Sequence, residues 1–138
     1  MEPDFLKPVI PRILDTYPQT QAIYLFGSAQ DSISLAKDVD LALLLPPLEA
    51  KDAGSFSLTD LVIELENLLQ KPVDLINIRL VSVVFRKEII FNGSRIYTGN
   101  RFEAETFEML TLSFYQKLNE ERKEILKQFY LTGRAYSL

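Results

Sequence analysis

Two aspartates separated by a single residue, Asp38 and Asp40, stand at the start of an apolar run that ends at Leu45. The pattern predicts a β-strand over residues 38–45, and because side chains alternate along a strand, both carboxylates project from the same face. Their mutual repulsion and partial burial cost several kcal/mol unless a cation lies between them. Mg²⁺ suits such oxygen ligands and keeps positions open for water and phosphate. The pair therefore predicts a magnesium site at one end of a buried strand.

A second apolar run, residues 22–26, ends abruptly at Gly27 and Ser28. This predicts a strand that enters a tight turn, followed by a short helix over residues 29–35. Gly27 has no Cβ, so a ligand can approach the backbone closely, while Ser28 offers an N–H and a hydroxyl group where helix starts favour anions. Each residue alone also fits a plain turn glycine or a helix N-cap. Beside the aspartate pair, they predict a site for nucleotide phosphates.

The order Gly27-Ser28, spacer, Asp38-Val39-Asp40 resembles the signature of the DNA polymerase β-like nucleotidyltransferase superfamily, and the short chain is similar to its minimal nucleotidyltransferase (MNT) domains. The resemblance covers roughly residues 10–98 and implies an α/β (α+β) fold with a single nucleotidyltransferase domain, a mixed sheet of three to four strands and a site at the strand ends. Two departures stand out. The spacer of nine residues, 29–37, is one shorter than in many members, and Lys37 replaces a small polar residue.

The resemblance assigns roles to individual residues. It implies that Asp38, Asp40 and Asp74 are catalytic and hold Mg²⁺, with two ions, and that Gly27 and Ser28 bind the nucleotide phosphates. Asp74 lies in a short β-branched run, where the family's third carboxylate is expected. In that role it binds the metal nearest the acceptor and helps to remove the acceptor's proton. Asp74 alone also fits a plain surface carboxylate.

The resemblance also implies an activity and a partner. MNT proteins of this size are similar to antitoxins that transfer AMP from ATP to a tyrosine of a HEPN-family ribonuclease toxin. We therefore expect a Mg²⁺-dependent protein adenylyltransferase that forms a complex with such a toxin. Two alternatives stay open: an enzyme that modifies small molecules such as antibiotics, and a degenerate antitoxin that blocks its partner by contact alone.

Composition narrows the remaining possibilities. The chain has no histidine and no cysteine, which excludes Ser-His-Asp and Cys-His catalysis and zinc sites built from these residues. A net charge of −4 argues against extended nucleic-acid binding, which a basic face would support. We find no apolar run long enough for a membrane span and no signal peptide, so we expect a cytoplasmic location.

Hydrophobic periodicity predicts alternating helices and strands in one domain, with a nucleotidyltransferase core over 1–99 and a helical extension over 100–138 that could dock a partner. We predict that the helices lie mostly on one face of the sheet and that Ser57 and Asp60 form a capping box. The other predicted elements are a helix over 4–17, a loop over 48–56, a helix from Ser57 to Leu69, a strand over 72–77, a helix over 81–92, a strand over 95–98, a long helix over 100–133 and a mobile tail over 134–138.

Overall fold

The computed structural model describes residues 6–32, 35–56 and 59–132. Its elements are α1 (Val9–Thr16), β1 (Ala22–Phe26), β2 (Val39–Leu44), α2 (Pro47–Ala53), α3 (Asp60–Leu69), β3 (Val73–Asn77), α4 (Val83–Asn92), β4 (Ser94–Thr98) and α5 (Arg101–Thr132). The strands form one sheet in the order β3-β2-β1-β4. β1 is antiparallel to β2 and β4, whereas β2 and β3 are parallel. The predicted mixed sheet is confirmed.

Helices cover both faces of the sheet, so the prediction that they lie mostly on one face is wrong. On one face, Ile23 and Leu43 pack in a cluster with residues of α1 and α3. On the other face, Tyr24 packs with Ile89 of α4 and Phe107 of α5. The central strands β1 and β2 are therefore buried on both sides, which explains why they are almost continuously apolar.

The segment predicted as a loop over 48–56 contains helix α2. Proline is favoured in the first helical turn because its missing N–H is not needed there, and Pro47 is the first residue of this helix. The helix ends at Gly54, whose φ of 60° lies in the left-handed region.

Other helices also begin or end at residues that differ from the prediction. The helix expected over 29–35 is a single 3-10 turn, Ser28–Gln30, among the described residues. Helix α3 is capped by Thr59, whose side chain accepts a hydrogen bond from the Val62 N–H at 3.4 Å, while Ser57 of the predicted capping box lies outside the described residues. The described residues also exclude Leu58, residues 1–5 and the tail that was predicted to be mobile over 134–138. Helix α1 covers Val9–Thr16 of the helix predicted over 4–17.

Helix α5 is continuous over 32 residues and is fixed to the sheet only through its first third. Ala104 and Thr111 are buried against the domain. The Tyr24 hydroxyl donates a 2.7 Å hydrogen bond to Glu108, which also forms a 3.0 Å ion pair with Arg95 of β4. Burial, followed by the contact with Glu108, raises the pKa of Tyr24 well above its ordinary value. The tyrosine therefore stays protonated and anchors α5 to the sheet.

Among the helices in the described part of the chain, none combines the length and apolar character that crossing a membrane requires.

Candidate active site

The sheet brings two of the three predicted carboxylates side by side. In the parallel pairing of β2 with β3, Asp40 is directly opposite Asp74, and in the antiparallel pairing of β1 with β2, Phe26 is directly opposite Asp40. Opposite residues project from the same face. Phe26, Asp40 and Asp74 therefore form a row across three strands, on the face that carries α4 and α5.

Asp38, the third member of the acidic group, lies one residue before β2. The strand begins at Val39 and not at residue 38, where it was predicted to begin. It is exposed, as is Asp74, while Asp40 is half-buried. Asp38 is close enough to Asp40 for its charge to raise the pKa of that carboxyl group. All three predicted carboxylates thus lie at one end of the sheet.

The predicted phosphate turn lies directly against this acidic group. Gly27 has a φ of 74°, in the left-handed region that favours glycine, and a Cβ added to it would lie 2.2 Å from Oδ2 of Asp40. Ser28 follows and begins the 3-10 turn with its side chain exposed. The structure therefore brings all five residues singled out in the sequence into one area.

Among the described residues, no cation forms an ion pair with the acidic group. Burial, and then the nearby charges of Asp38 and Asp74, raise the pKa of Asp40 above its ordinary value of 3.8. Within the described ranges, none of the three carboxylates forms a salt bridge, and the exposed Lys37 pairs with none of them. Within the described residues, the repulsion that raises the pKa of Asp40 is therefore not relieved by an ion pair.

The three carboxylates lie at the same end of the sheet but are not arranged as a complete set of metal ligands. Among the residues that the structure describes, no three acidic, histidine or cysteine side chains are close enough together to hold a metal ion. Carboxylates in a cation-poor group repel one another, which favours separated side chains. Mg²⁺ needs only one or two carboxylates and fills its remaining positions with water and phosphate, so the donor set still fits this ion.

The raised pKa of Asp40 leads to a stability prediction. A carboxyl group whose pKa is higher in the folded state stabilises the fold below its unfolded pKa, and this contribution is lost as the pH rises through the folded pKa. Asp40→Asn should therefore raise the melting temperature at pH 7 without divalent ions, and the gain should vanish below about pH 3.8. Thermal unfolding of the wild-type and Asp40→Asn proteins, measured from pH 3 to pH 8 with a chelator present, tests this prediction. A lower melting temperature of the variant than of the wild type at pH 7 would contradict it.

Sequence reasoning missed Gln30, which ties the phosphate turn to the connection between α4 and β4. Its side-chain amide donates to the backbone carbonyl of Asn92, and its side-chain oxygen accepts a 2.8 Å hydrogen bond from the Ser94 hydroxyl. The partners are more than sixty residues away in the chain. No local pattern indicates such a contact, because it depends on β4 lying beside β1.

The site is an open surface at the end of the sheet. Cavities of about 190 and 150 Å³ lie elsewhere, and neither is lined by the carboxylates or by Gly27 and Ser28. The larger one is beside β3 and is lined in part by Asn77, whose side-chain oxygen is buried without a hydrogen-bond partner. An open surface suits a reaction in which one substrate is a macromolecule.

Comparison with known proteins finds similarity to nucleotidyltransferases. A family model described as polymerase beta, nucleotidyltransferase, matches residues 9–102. The protein adenylyltransferase MntA of Shewanella oneidensis is 31% identical over 119 residues, which cover 86% of this chain and 82% of the relative.

Solved structures are similar over nearly the whole fold. A toxin–antitoxin crystallised with AMP-PNP matches with a TM-score of 0.68 and 28% identity, over 88% of this chain and 95% of that one. The complex of the tri-AMPylated Shewanella oneidensis HEPN toxin with its MNT antitoxin matches with a TM-score of 0.67 and 28% identity, over 91% and 96% of the two chains.

Proposed function

Because this chain belongs to the polymerase β nucleotidyltransferase family, we propose that it is an antitoxin that transfers AMP from ATP to a tyrosine of a cognate HEPN toxin. One observation carries the proposal: Asp40 stands between Asp74 on β3 and the Gly27 turn that follows β1. This places carboxylates for a metal beside a backbone turn that a phosphate can approach. The similar MntA is a protein adenylyltransferase, which supports protein as the acceptor.

The carboxylates have distinct positions relative to the two substrates. Gly27 and Ser28 bind the β- and γ-phosphates of ATP. Asp40 lies beside them on β2, and Asp38 lies just before that strand. Asp74 lies one strand farther from the turn, so it faces the acceptor hydroxyl and accepts its proton. When bound to these carboxylates, Mg²⁺ would neutralise the phosphates and the developing charge on the leaving pyrophosphate.

The reaction is a single displacement. The tyrosine oxygen forms a bond to the α-phosphorus of ATP, the bond from that phosphorus to the bridging oxygen breaks, and pyrophosphate leaves. The chain has no histidine to accept the proton of the tyrosine, and that proton goes to Asp74. The crystal complex of a similar toxin–antitoxin with AMP-PNP supports ATP as the donor.

Removal of the antitoxin after reaction tests this function against simple masking. The complex is incubated with ATP and Mg²⁺, this chain is then removed under mild denaturation, and the ribonuclease activity of the refolded partner is assayed. An adenylyltransferase leaves the partner inactive, whereas a protein that acts by contact alone releases an active toxin. A parallel incubation without ATP must restore ribonuclease activity, which controls for losses during refolding.

The outer part of α5 is the partner-docking element in this proposal. In the described residues, the last buried residue of α5 is Thr111, so the remaining turns run beyond the sheet. Large apolar side chains stay exposed there: Phe114, Ile125, Leu126, Phe129, Tyr130 and Leu131. An exposed apolar surface of this size on a helix end is typical of a binding surface.

Truncation tests this docking element. A variant that ends at Glu120 keeps the buried part of α5 but loses most of its exposed apolar residues. We expect it to bind the toxin about tenfold more weakly or worse, with an unchanged ATP affinity. A variant that ends at Thr132 is the matched control. Equal toxin affinity of the two truncated proteins, measured by calorimetry, would show that the toxin binds elsewhere.

A further inference from the structure

Two aromatic rings adjoin the acidic group. Phe26, the last residue of β1, forms an edge-to-face contact with Phe85 of α4, with ring centroids 5.8 Å apart and planes at 81°. Phe85 is 36% exposed, so part of its ring is open to solvent. Nothing in the proposed reaction uses these two residues.

Both rings are held in defined positions. Phe26 packs against the buried cluster beneath α4 and α5. The backbone N–H of Phe85 donates a 3.2 Å hydrogen bond to the Ser82 hydroxyl, which caps the first turn of α4. An aromatic pair fixed by a strand end and a capped helix loses little conformational entropy when a flat ligand packs against it.

The pair lies on the nucleotide side of the site. Phe26 immediately precedes Gly27 and is directly opposite Asp40, one strand away. Asp74, on the acceptor side, is two strands from Phe26, or about 10 Å at the usual strand spacing. In a nucleoside triphosphate, the sugar and the α-phosphate separate the base from the β- and γ-phosphates. The base of a nucleotide bound at Gly27 and Ser28 therefore lies within one nucleotide length of that turn, a range that includes Phe85 beside Phe26.

We infer that Phe26 and Phe85 form an aromatic subsite that binds the nucleobase of the nucleoside triphosphate. The inference rests on the proposed function and adds a base-binding role to residues outside the Gly-Ser and Asp-x-Asp patterns. Every base has a π-face, so stacking on Phe85 raises the affinity for the nucleotide without requiring a hydrogen bond that reads the base.

Calorimetry with two ligands tests the subsite. ATP and inorganic triphosphate are titrated, with Mg²⁺, into the full chain without the toxin. Phe85→Leu keeps an apolar side chain but removes the ring, so we expect it to weaken ATP binding by about 5- to 100-fold. Triphosphate has no base, and its affinity should change by less than about twofold, since the removed interaction is the stacking contact.

Two variants of α4 serve as controls. Phe85→Tyr retains the ring and should bind ATP within about twofold of the wild-type affinity. Phe91 is also exposed on α4, at 50%, but lies near its other end, so Phe91→Leu should leave ATP binding unchanged. These controls separate loss of the ring from a general effect on the helix.

The possible results separate the subsite from the proposed function. Wild-type ATP affinity in Phe85→Leu overturns the subsite and leaves the adenylyltransferase proposal intact. An equal loss of ATP and triphosphate affinity also overturns it, since the variant then disturbs the phosphate turn. A higher KM for the toxin with unchanged ATP affinity assigns the rings to the acceptor and contradicts the inference. If the wild-type protein binds no ATP, the proposed function and the subsite both fail.

Discussion

Replacing both Asp38 and Asp40 by asparagine is expected to abolish AMP transfer while the protein stays folded. The two carboxylates are the metal-binding group nearest the phosphate turn in our proposal, and Asp40 lies against Gly27. A bound metal supplies several kcal/mol of transition-state stabilisation, so its loss should slow transfer by about a thousandfold or more. The fold should tolerate the change, because it removes repulsion within the acidic group.

Titration of Mn²⁺ or Mg²⁺ into the wild-type and double-variant proteins, followed by a transfer assay, measures both effects. Asp52→Asn is a suitable control, because Asp52 is an exposed aspartate on α2. The control should bind metal and transfer AMP as the wild type does. Unchanged metal affinity in the double variant would rule out these two residues as the metal ligands.

A side chain at Gly27 is expected to cause the second large loss. Even the methyl group of Gly27→Ala would lie 2.2 Å from the Asp40 carboxylate oxygen, and the positive φ adds backbone strain of about 1–3 kcal/mol. The turn or Asp40 must therefore shift. Gly27→Val adds still more bulk where the phosphates approach. We expect ATP affinity to fall at least about tenfold with alanine and further with valine.

Gly54→Ala provides the matched control for this experiment. Gly54 also has a positive φ, of 60°, but a Cβ added there meets nothing within 4 Å. Both alanine variants should lose stability from backbone strain, and only Gly27→Ala should lose ATP affinity. Similar ATP affinities in the two variants, compared by calorimetry at a temperature where both are folded, would mean that Gly27 serves only as a turn.

The local parts of the site could be predicted from the sequence because they depend on short-range patterns. The Asp-x-Asp spacing indicated that Asp38 and Asp40 lie close together, and a glycine at the end of an apolar run indicated a turn. Family resemblance then suggested Asp74. That Asp40 is directly opposite Asp74 depends on the parallel register of β2 and β3, which no local pattern fixes.

The errors in the predicted fold have identifiable causes. The prediction of a loop over 48–56 did not take into account that Pro47 fits the first turn of a helix. The continuous apolar runs of β1 and β2 were a signal that both faces of the sheet are covered, and we predicted helices mostly on one face nonetheless. The contact of Gln30 with Asn92 and Ser94 joins distant segments and had no sequence signal.

The most direct test of the proposed function is the intact mass of the cognate HEPN toxin after incubation with this protein, ATP and Mg²⁺. We expect each added unit to raise the toxin's mass by that of AMP less water, at a tyrosine located by peptide mapping. The Asp74→Asn protein should still bind the toxin yet leave its mass unchanged, because Asp74 acts on the acceptor hydroxyl. An unmodified toxin that nonetheless stays inactive after the wild-type protein is removed would contradict the adenylyltransferase account.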